Sequence, residues 1–142
     1  MTKEQRLAQR EELLKKVSYF HLQVFEGMAT TVGYEKEDTG ELMYAIALCA
    51  PADQFSRKEG RKIAFARLID RVRGKQYNRF DLTGLLSNES LGLPITSRLR
   101  IASAKHLLDH CMDDEAPLWI RKIFESGSGQ AGMEWLCIKG GD

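Results

Sequence analysis

The residues of this chain best suited to chemistry are basic, and they crowd into residues 56–75. Eight arginines and lysines stand there against two acidic residues. Ser56 and Glu59 have the capping-box spacing, which predicts that a helix begins at Ser56. An arginine side chain can form two parallel hydrogen bonds to a phosphate or a carboxylate, and a helix start adds partial positive charge. The stretch therefore predicts contact with an anionic or acidic partner.

The first two turns of this helix hold the residues that we predict to make the contact. An apolar face formed by Ala64, Phe65, Leu68, Ile69 and Val72 runs along the helix at helical spacing. Followed toward the N-terminus, the same face continues through Arg61 and then Arg57. We predict that these two arginines are the principal contacts, supported electrostatically by Lys58 and Lys62. The alternative is that all four side chains are the solvated surface of an amphipathic helix.

The distribution of charge along the chain indicates one localised basic patch. Residues 1–50 carry six basic and eight acidic side chains, residues 51–110 carry twelve and six, and residues 111–142 carry three and six. The net charge of the whole chain is only +1. A direct binder of the RNA or DNA backbone usually carries more positive charge, so this function is kept as an alternative.

Evidence for an enzyme is weak in this sequence. His106 and His110 lie four residues apart on a predicted helix, but the intervening residues lack the glutamate of the zinc-protease pattern. The chain has no Gly-x-Ser-x-Gly motif, and the glycine-rich residues 126–132 lack the lysine of a phosphate-binding loop. We predict no catalytic residue, no bound metal and no cofactor. A small metal-dependent enzyme remains the second alternative.

Length, cysteine content and hydropathy favour one cytoplasmic domain. A chain of 142 residues suits one core, so residues 1–142 are predicted to form a single domain. Cys49, Cys111 and Cys137 are odd in number and lie among apolar neighbours, which is typical of reduced, buried thiols. No apolar run approaches the roughly 20 residues that cross a bilayer. We therefore expect no contact with membranes.

The elements that position the basic residues are predicted from periodicity and caps. Thr2 and Gln5 have capping-box spacing, which predicts a helix as far as Val17. Aromatic and β-branched runs over Tyr19–Tyr34 and Leu42–Ala50 predict a β-hairpin. The basic helix follows and ends near Arg73. Two glycines predict local features of these elements. Gly27 is a candidate β-bulge in the first strand, and Gly60, inside the helix, predicts that a backbone or a ligand approaches the helix closely at this point.

The second half of the chain is predicted to be mostly helical. Residues 76–92 are expected to hold a short strand and a loop, and Thr96 is the predicted cap of a helix that ends at Met112. A short helix is predicted over Ala116–Glu125 and a closing strand over Met133–Lys139. In the helix that follows Thr96, the residues expected to face inward are Ile101, Ala104, Leu108, Cys111 and Met112. The predicted core comprises Phe65, Leu68, Ile69, Val72, Leu108 and Trp135.

These predictions give an α+β fold with an N-terminal helix, a β-hairpin packed on the basic helix, and a helical C-terminal half with a closing strand. At Pro51, between the hairpin and the basic helix, the spacing of hydrophobic residues changes from a period of two residues, typical of a strand, to a period of 3.6 residues, typical of a helix.

The residues around the start of the basic helix also carry a resemblance. The run from Cys49 to Ala64, which continues to Arg67 and Leu68, resembles a pattern in short uncharacterised accessory proteins of phages and plasmids. The resemblance implies a non-enzymatic mobile-element protein that binds a host protein or a ribonucleoprotein complex. Anti-CRISPR inhibitors and other counter-defence proteins belong to this class. Ser56–Ala64 is also loosely similar to the last helix of double-stranded RNA-binding domains, where lysines at a helix start contact phosphates. This similarity implies the alternative function, direct binding to nucleic acid.

Overall fold

A four-stranded antiparallel sheet forms the centre of the molecule, and helices cover both of its faces. The computed structural model describes residues 1–24, 27–50, 53–75, 82–87, 92–110, 114, 116 and 118–123. The predicted α+β fold is confirmed. Along the chain the elements are α1 (Lys3–Lys16), β1 (Ser18–Val24), β2 (Gly27–Glu35), β3 (Leu42–Cys49), α2 (Arg57–Val72), β4 (Thr83–Leu86), α3 (Ile95–His110) and α4 (Leu118–Ile123).

The sheet is a meander in which each strand pairs with the next one along the chain, in the order β1-β2-β3-β4. The prediction of one strand over Tyr19–Tyr34 is wrong, because this stretch holds most of β1 and most of β2. The two strands pair antiparallel, from Ser18 with Gly33 to Val24 with Gly27. Sixteen residues would be long for one strand, since most strands run about 3–10 residues. Gly27 begins β2 instead of bulging a longer strand.

Both faces of the sheet are covered, so most residues of β2 and β3 are buried. On one face, α1 and α2 cover a cluster that includes Val32 of β2 and Ala45 of β3. On the other face, α3 and α4 cover a cluster that includes Ala29 of β2 and Ile46 of β3. Successive residues of a strand point to opposite faces, so each strand contributes to both clusters.

The two helices on the first face begin as the sequence predicts. At the start of α1, the Thr2 hydroxyl accepts a hydrogen bond from the Gln5 amide at 3.1 Å, and the Gln5 side chain accepts one from the Thr2 amide at 2.8 Å. At the start of α2, the Ser56 hydroxyl accepts a hydrogen bond from the Glu59 amide at 3.3 Å. The chain leaves α2 at Gly74, whose φ of 82° favours glycine.

Gly60 of α2 packs directly against Thr30 of β2, so the close approach predicted there is confirmed. A Cβ atom built on Gly60 would clash with the hydroxyl of Thr30 and would lie 3.1 Å from the Thr30 Cβ. Thr30 is buried, and its hydroxyl is hydrogen-bonded to His21 Nδ1 at 2.9 Å. The absence of a side chain at Gly60 thus lets the first turn of α2 rest directly on β2.

We therefore expect Gly60→Ala to destabilise the protein, although alanine is about 1 kcal/mol better than glycine inside a helix. The Thr30 hydroxyl lies on a short, buried side chain and is bonded to His21, so overpacking should outweigh this gain and leave a net loss of about 1–2 kcal/mol in the free energy of unfolding. Urea denaturation would measure the loss. In a Thr30→Ala background the same substitution should cost less, because the clashing hydroxyl is gone. Higher stability of the Gly60→Ala variant would contradict this account.

Helix α3 presents a different face to the sheet from the predicted one. Its buried residues include Leu99, Ala102 and Leu107, whereas Ile101 and Leu108, both expected to face inward, are exposed. Ala104 is buried as predicted. The helix begins at Ile95, so Thr96 lies in its first turn and is not its cap.

Buried polar residues account for this orientation of α3. Arg98 is only 3% exposed, and its guanidinium donates hydrogen bonds to Glu35 Oε2 at 3.2 Å and to the Gly40 carbonyl at 2.9 Å. The Ser103 hydroxyl bonds to that of Thr31 on β2 and donates to the Leu99 carbonyl. These bonds connect α3 to the sheet through side chains that a hydrophobic pattern assigns to the surface.

The remaining predictions for the second half are partly tested. Strand β4 lies within the stretch expected to hold a short strand, and α4 lies within the helix expected over Ala116–Glu125. Cys111, Met112, Trp135 and the predicted closing strand Met133–Lys139 fall outside the described residues. Within the described ranges, no helix is both long and apolar enough to cross a membrane.

Candidate partner-binding surface

The basic residues of α2 and of the turn that follows it divide into two groups with different environments. Arg57, Lys58, Arg61 and Lys62, in the first two turns, are all exposed, and we call these four the basic surface. The basic residues that follow are engaged within the fold. Arg73, for example, donates to Gln9 Oε1 at 2.9 Å and to the Arg6 carbonyl at 3.1 Å, which ties the end of α2 to α1. Lys75 lies 3.8 Å from Asp70.

Arg67 illustrates how α2 uses a basic residue structurally. Strand β4 is short, and the last residue of β3 that pairs with it is Ala45, which lies opposite Thr83. One residue further along β3, the Ile46 amide donates to the Leu82 carbonyl at 2.8 Å, and Arg67 Nη1 donates to the Ile46 carbonyl at 2.6 Å. Arg67 thereby satisfies a backbone acceptor of β3 beyond the last β3–β4 pair.

Arg57 and Arg61 lie toward the opposite edge of the sheet, beside β1. The Arg61 Cζ atom is 5.9 Å from the centre of the Tyr19 ring. Both arginines act electrostatically on His21, two residues further along β1. Arg10 of α1 adds positive charge nearby, since its Cζ is 5.5 Å from the centre of the Phe65 ring and its charge also reaches Tyr19.

The charges of these arginines affect the pKa values of two side chains of β1, Tyr19 and His21. Burial raises the pKa of the Tyr19 hydroxyl, and the charges of Arg61 and Arg10 oppose that rise. Burial lowers the pKa of His21, and the charges of Arg57 and Arg61 lower it further. His21 also packs edge-on against Phe55, with 5.7 Å between the ring centres. The sequence identifies His21 as a structural or surface residue but gives no sign that it or Arg10 lies beside the basic surface.

No carboxylate within the described part of the chain forms an ion pair with any residue of the basic surface. All four side chains therefore keep their charge available for a partner. The sequence prediction that Arg57 and Arg61 extend the apolar face of α2 is consistent with this placement, because Phe65, one turn after Arg61, is buried. Their predicted role in binding stays a prediction.

A groove of about 210 Å³ lies on the other side of the α2 start, between α2 and β3. Its apolar lining includes Phe55 and Ile63, of which Ile63 is 44% exposed. Asp53, Glu59 and Cys49 also line it. The first turn of α2 thus separates the basic surface from a groove that carries carboxylates.

The histidine pair considered for a metal site lies elsewhere, on α3. His106 is buried, and its Nδ1 forms a hydrogen bond of 2.9 Å with the Tyr44 hydroxyl of β3. The ring centres of His106 and His110 are 4.6 Å apart. In the parts of the chain that the structure describes, no group of three or more His, Cys, Asp or Glu side chains is arranged to hold a metal ion. The contacts of His106 with Tyr44 connect α3 to the sheet.

The low pKa of His21 predicts a pH dependence of stability. The folded protein favours neutral His21 because its ring is partly buried and because the charges of Arg57 and Arg61 face it from α2. Thr30 and Phe55 are its other neighbours. Between this lowered pKa and 6.5, the ordinary pKa of histidine, the unfolded chain therefore binds more protons than the folded chain. The stabilising contribution is complete above pH 6.5 and is lost as the pH falls through the lower pKa of the folded state.

Urea denaturation between pH 7.5 and pH 5 would measure this effect. His21→Gln should reduce the pH dependence in this interval, because glutamine can keep the bond to Thr30 without titrating. An unchanged pH dependence in this variant would show that His21 contributes nothing to it.

Comparison of the chain with family models, curated proteins and solved structures finds no match in any of the three.

Proposed function

We propose that this chain is a non-enzymatic binding protein whose basic surface captures an acidic surface of a partner. One observation carries the proposal: Arg57, Lys58, Arg61 and Lys62 are exposed and form no ion pair with a described residue, whereas Arg67 of the same helix and Arg73, just after it, are bonded within the fold. The described part of the fold therefore leaves the positive charge at the start of α2 unpaired.

The physical chemistry of the site suits an anionic partner. Arginine forks fit carboxylate or phosphate, and charge-assisted hydrogen bonds contribute about 1.5–3 kcal/mol each. The amides at the start of α2 add partial positive charge at the same place. Lys58 and Lys62 are point charges without fork geometry, so we assign them to attraction rather than to specific pairing.

A host protein or a ribonucleoprotein complex is the partner class that we propose. The net charge of +1 favours local contact over general affinity for nucleic acid. The proposal that the chain is an accessory protein of a phage or plasmid, with anti-CRISPR inhibition as one example of its action, rests on the resemblance of the run from Cys49 to Ala64. The same four basic side chains also suit phosphate, so direct binding to the RNA or DNA backbone remains the alternative.

Affinity capture from a bacterial lysate, with the full chain as bait, tests the proposal. We expect a partner protein to be retained at 150 mM salt, both with and without nuclease treatment. Recovery of nucleic acid alone, with binding that falls steeply as salt increases, would overturn the proposal in favour of the direct nucleic-acid binder.

A further inference from the structure

We propose that His21 makes binding at the basic surface depend on pH, because the anionic groups of a partner that neutralise Arg57 and Arg61 allow the His21 ring to take up a proton. Binding then strengthens as the pH falls. This inference rests on the proposed function and adds a form of regulation to the same surface.

The His21 ring lies beside the first turns of α2. Its Nδ1 is hydrogen-bonded to the Thr30 hydroxyl of β2 at 2.9 Å, and the ring packs edge-on against Phe55, with 5.7 Å between the ring centres. Gly60 of α2 packs against Thr30, and a Cβ atom built on Gly60 would also lie 3.6 Å from the Phe55 ring. Both residues that contact the His21 ring therefore also pack against the helix at Gly60.

Both arginines follow these contacts along the chain. Arg57 comes two residues after Phe55, and Arg61 comes directly after Gly60. The Arg61 Cζ atom also lies 5.9 Å from the centre of the Tyr19 ring, and Tyr19 is two residues before the histidine, on the same face of β1. These separate contacts place two positive charges beside one imidazole ring.

Burial and the two arginines determine the charge of the ring. Partial burial lowers the pKa of His21, and the charges of Arg57 and Arg61, which face the ring from α2, lower it further. The bond to Thr30 suits either charge state, because a hydroxyl accepts a hydrogen bond from a protonated Nδ1 and donates one to an unprotonated Nδ1. The ring can therefore gain a proton without losing its contact with β2.

The other groups around the ring do not offset the arginines. Thr30 of β2 and Phe55, before α2, carry no charge. On β1, burial raises the pKa of the Tyr19 hydroxyl, so this group is neutral in the range where histidine titrates. Asp53 and Glu59 line the groove on the other side of the α2 start. Within the described part of the chain, no carboxylate forms an ion pair with either arginine.

An anion bound to the arginines changes this balance. Its negative charge neutralises them and attracts an imidazolium, so it should raise the pKa of His21. A group whose pKa is higher in the complex than in the free protein takes up a proton on binding. By linkage, affinity rises as the pH falls through the pKa of the complex toward the lower pKa of the free protein. Above both values the ring is neutral in either state and contributes no pH dependence.

An NMR titration of the histidine rings tests the geometry without any partner. The His21 signal is identified by its loss in His21→Gln. The pH midpoint of this signal should lie below 6.5 in the free protein and should rise when Arg57 and Arg61 are both replaced with alanine. Equal midpoints in the two proteins would overturn the inference and leave the proposed function standing, since binding by the arginines does not require them to act on His21.

A synthetic octapeptide of aspartate, blocked at both ends, is the probe for binding. Carboxylates with an ordinary pKa of about 3.9 stay largely ionised between pH 7.5 and pH 5.5. Titration calorimetry with the full chain should show that lowering the pH over this interval favours binding about fivefold more than it does in His21→Gln, which is the lower end of ordinary coupling between two sites. His110→Gln, a matched control on α3 at the opposite face of the sheet, should behave as the unmodified chain does.

The remaining outcomes separate this inference from the proposed function. Peptide binding that requires Arg57 and Arg61, but has the same pH dependence in the unmodified chain and in His21→Gln, would overturn the inference and keep the basic surface as the contact. Absence of peptide binding at both pH values would overturn the inference and the proposed function together. Binding that the double alanine variant retains in full would also overturn both.

Discussion

Replacing Arg57 and Arg61 together with alanine is expected to weaken binding of the captured partner at least hundredfold. Two charge-assisted contacts of about 1.5–3 kcal/mol each amount to more than two factors of ten in affinity. The fold should tolerate the change, because both side chains are exposed and the described contact of Arg61 with the Tyr19 ring is worth only about 0.5–1 kcal/mol at an exposed site. Titration calorimetry with the purified partner and urea denaturation would measure the two quantities.

Matched variants separate the geometry of the arginines from their charge. Arg57→Lys with Arg61→Lys keeps both charges but loses the forks, so it should restore only part of the affinity. Arg100→Ala with Lys105→Ala removes two positive charges from α3, on the opposite face of the sheet, and should leave binding nearly unchanged.

Full affinity of the double alanine variant at 150 mM salt would contradict the prediction. Screening over about 8 Å removes most diffuse attraction under these conditions. The basic surface would then be solvated charge only, and the acidic turn at Glu35–Glu41 would become the next candidate. Within that turn, Glu35 contacts Arg98 and Glu37 lies 3.3 Å from Lys16, so its carboxylates are already partly engaged.

The elements that could be predicted from the sequence are those with local signals. Thr2 and Ser56 mark helix starts because a hydroxyl at the N-cap satisfies a nearby backbone amide whatever the rest of the chain does. Gly74 marks the end of α2 for a similar reason, since its positive φ suits glycine. The reversal between Val24 and Gly27 has no comparable signal in the neighbouring sequence, so β1 and β2 are indistinguishable from one long strand.

The orientation of α3 could not be predicted because it depends on contacts across the fold. Hydrophobic spacing assigns Ile101 and Leu108 to the core, but Arg98 and Ser103 instead face the sheet, where Glu35, Gly40 and Thr31 provide their partners. Those partners lie more than 50 residues away in the sequence, and their positions follow only from the strand register.

The candidate site shows the same division between local and distant causes. The position of Arg57 and Arg61 in line with the apolar face of α2 follows from helical periodicity. The internal roles of Arg67 and Arg73 do not, because they depend on the carbonyl of Ile46 and on α1. Sequence therefore identifies the basic helix, and the structure distinguishes the residues that the fold uses from those that it leaves available.

Leu68→Ala should produce the largest loss of stability among the substitutions considered. Leu68 is completely buried between α2 and the sheet, in the cluster that contains Val32, Ala45 and Phe65. Truncating a buried leucine removes its transfer free energy and leaves a cavity, so the free energy of unfolding should fall by about 2–5 kcal/mol. Chemical denaturation would measure the fall.

Leu108→Ala supplies the matched comparison, because the sequence assigns both leucines to the core but the structure exposes 52% of Leu108. Its truncation should cost no more than about 0.5 kcal/mol, the scale of an ordinary surface substitution. Similar losses at the two positions would mean that the packed face of α3 includes Leu108. A loss below about 0.5 kcal/mol at Leu68 would mean that α2 faces the sheet with other residues. The position of Arg57 and Arg61 beside β1 depends on that same orientation of α2, so this measurement also tests the geometry on which the binding proposals rest.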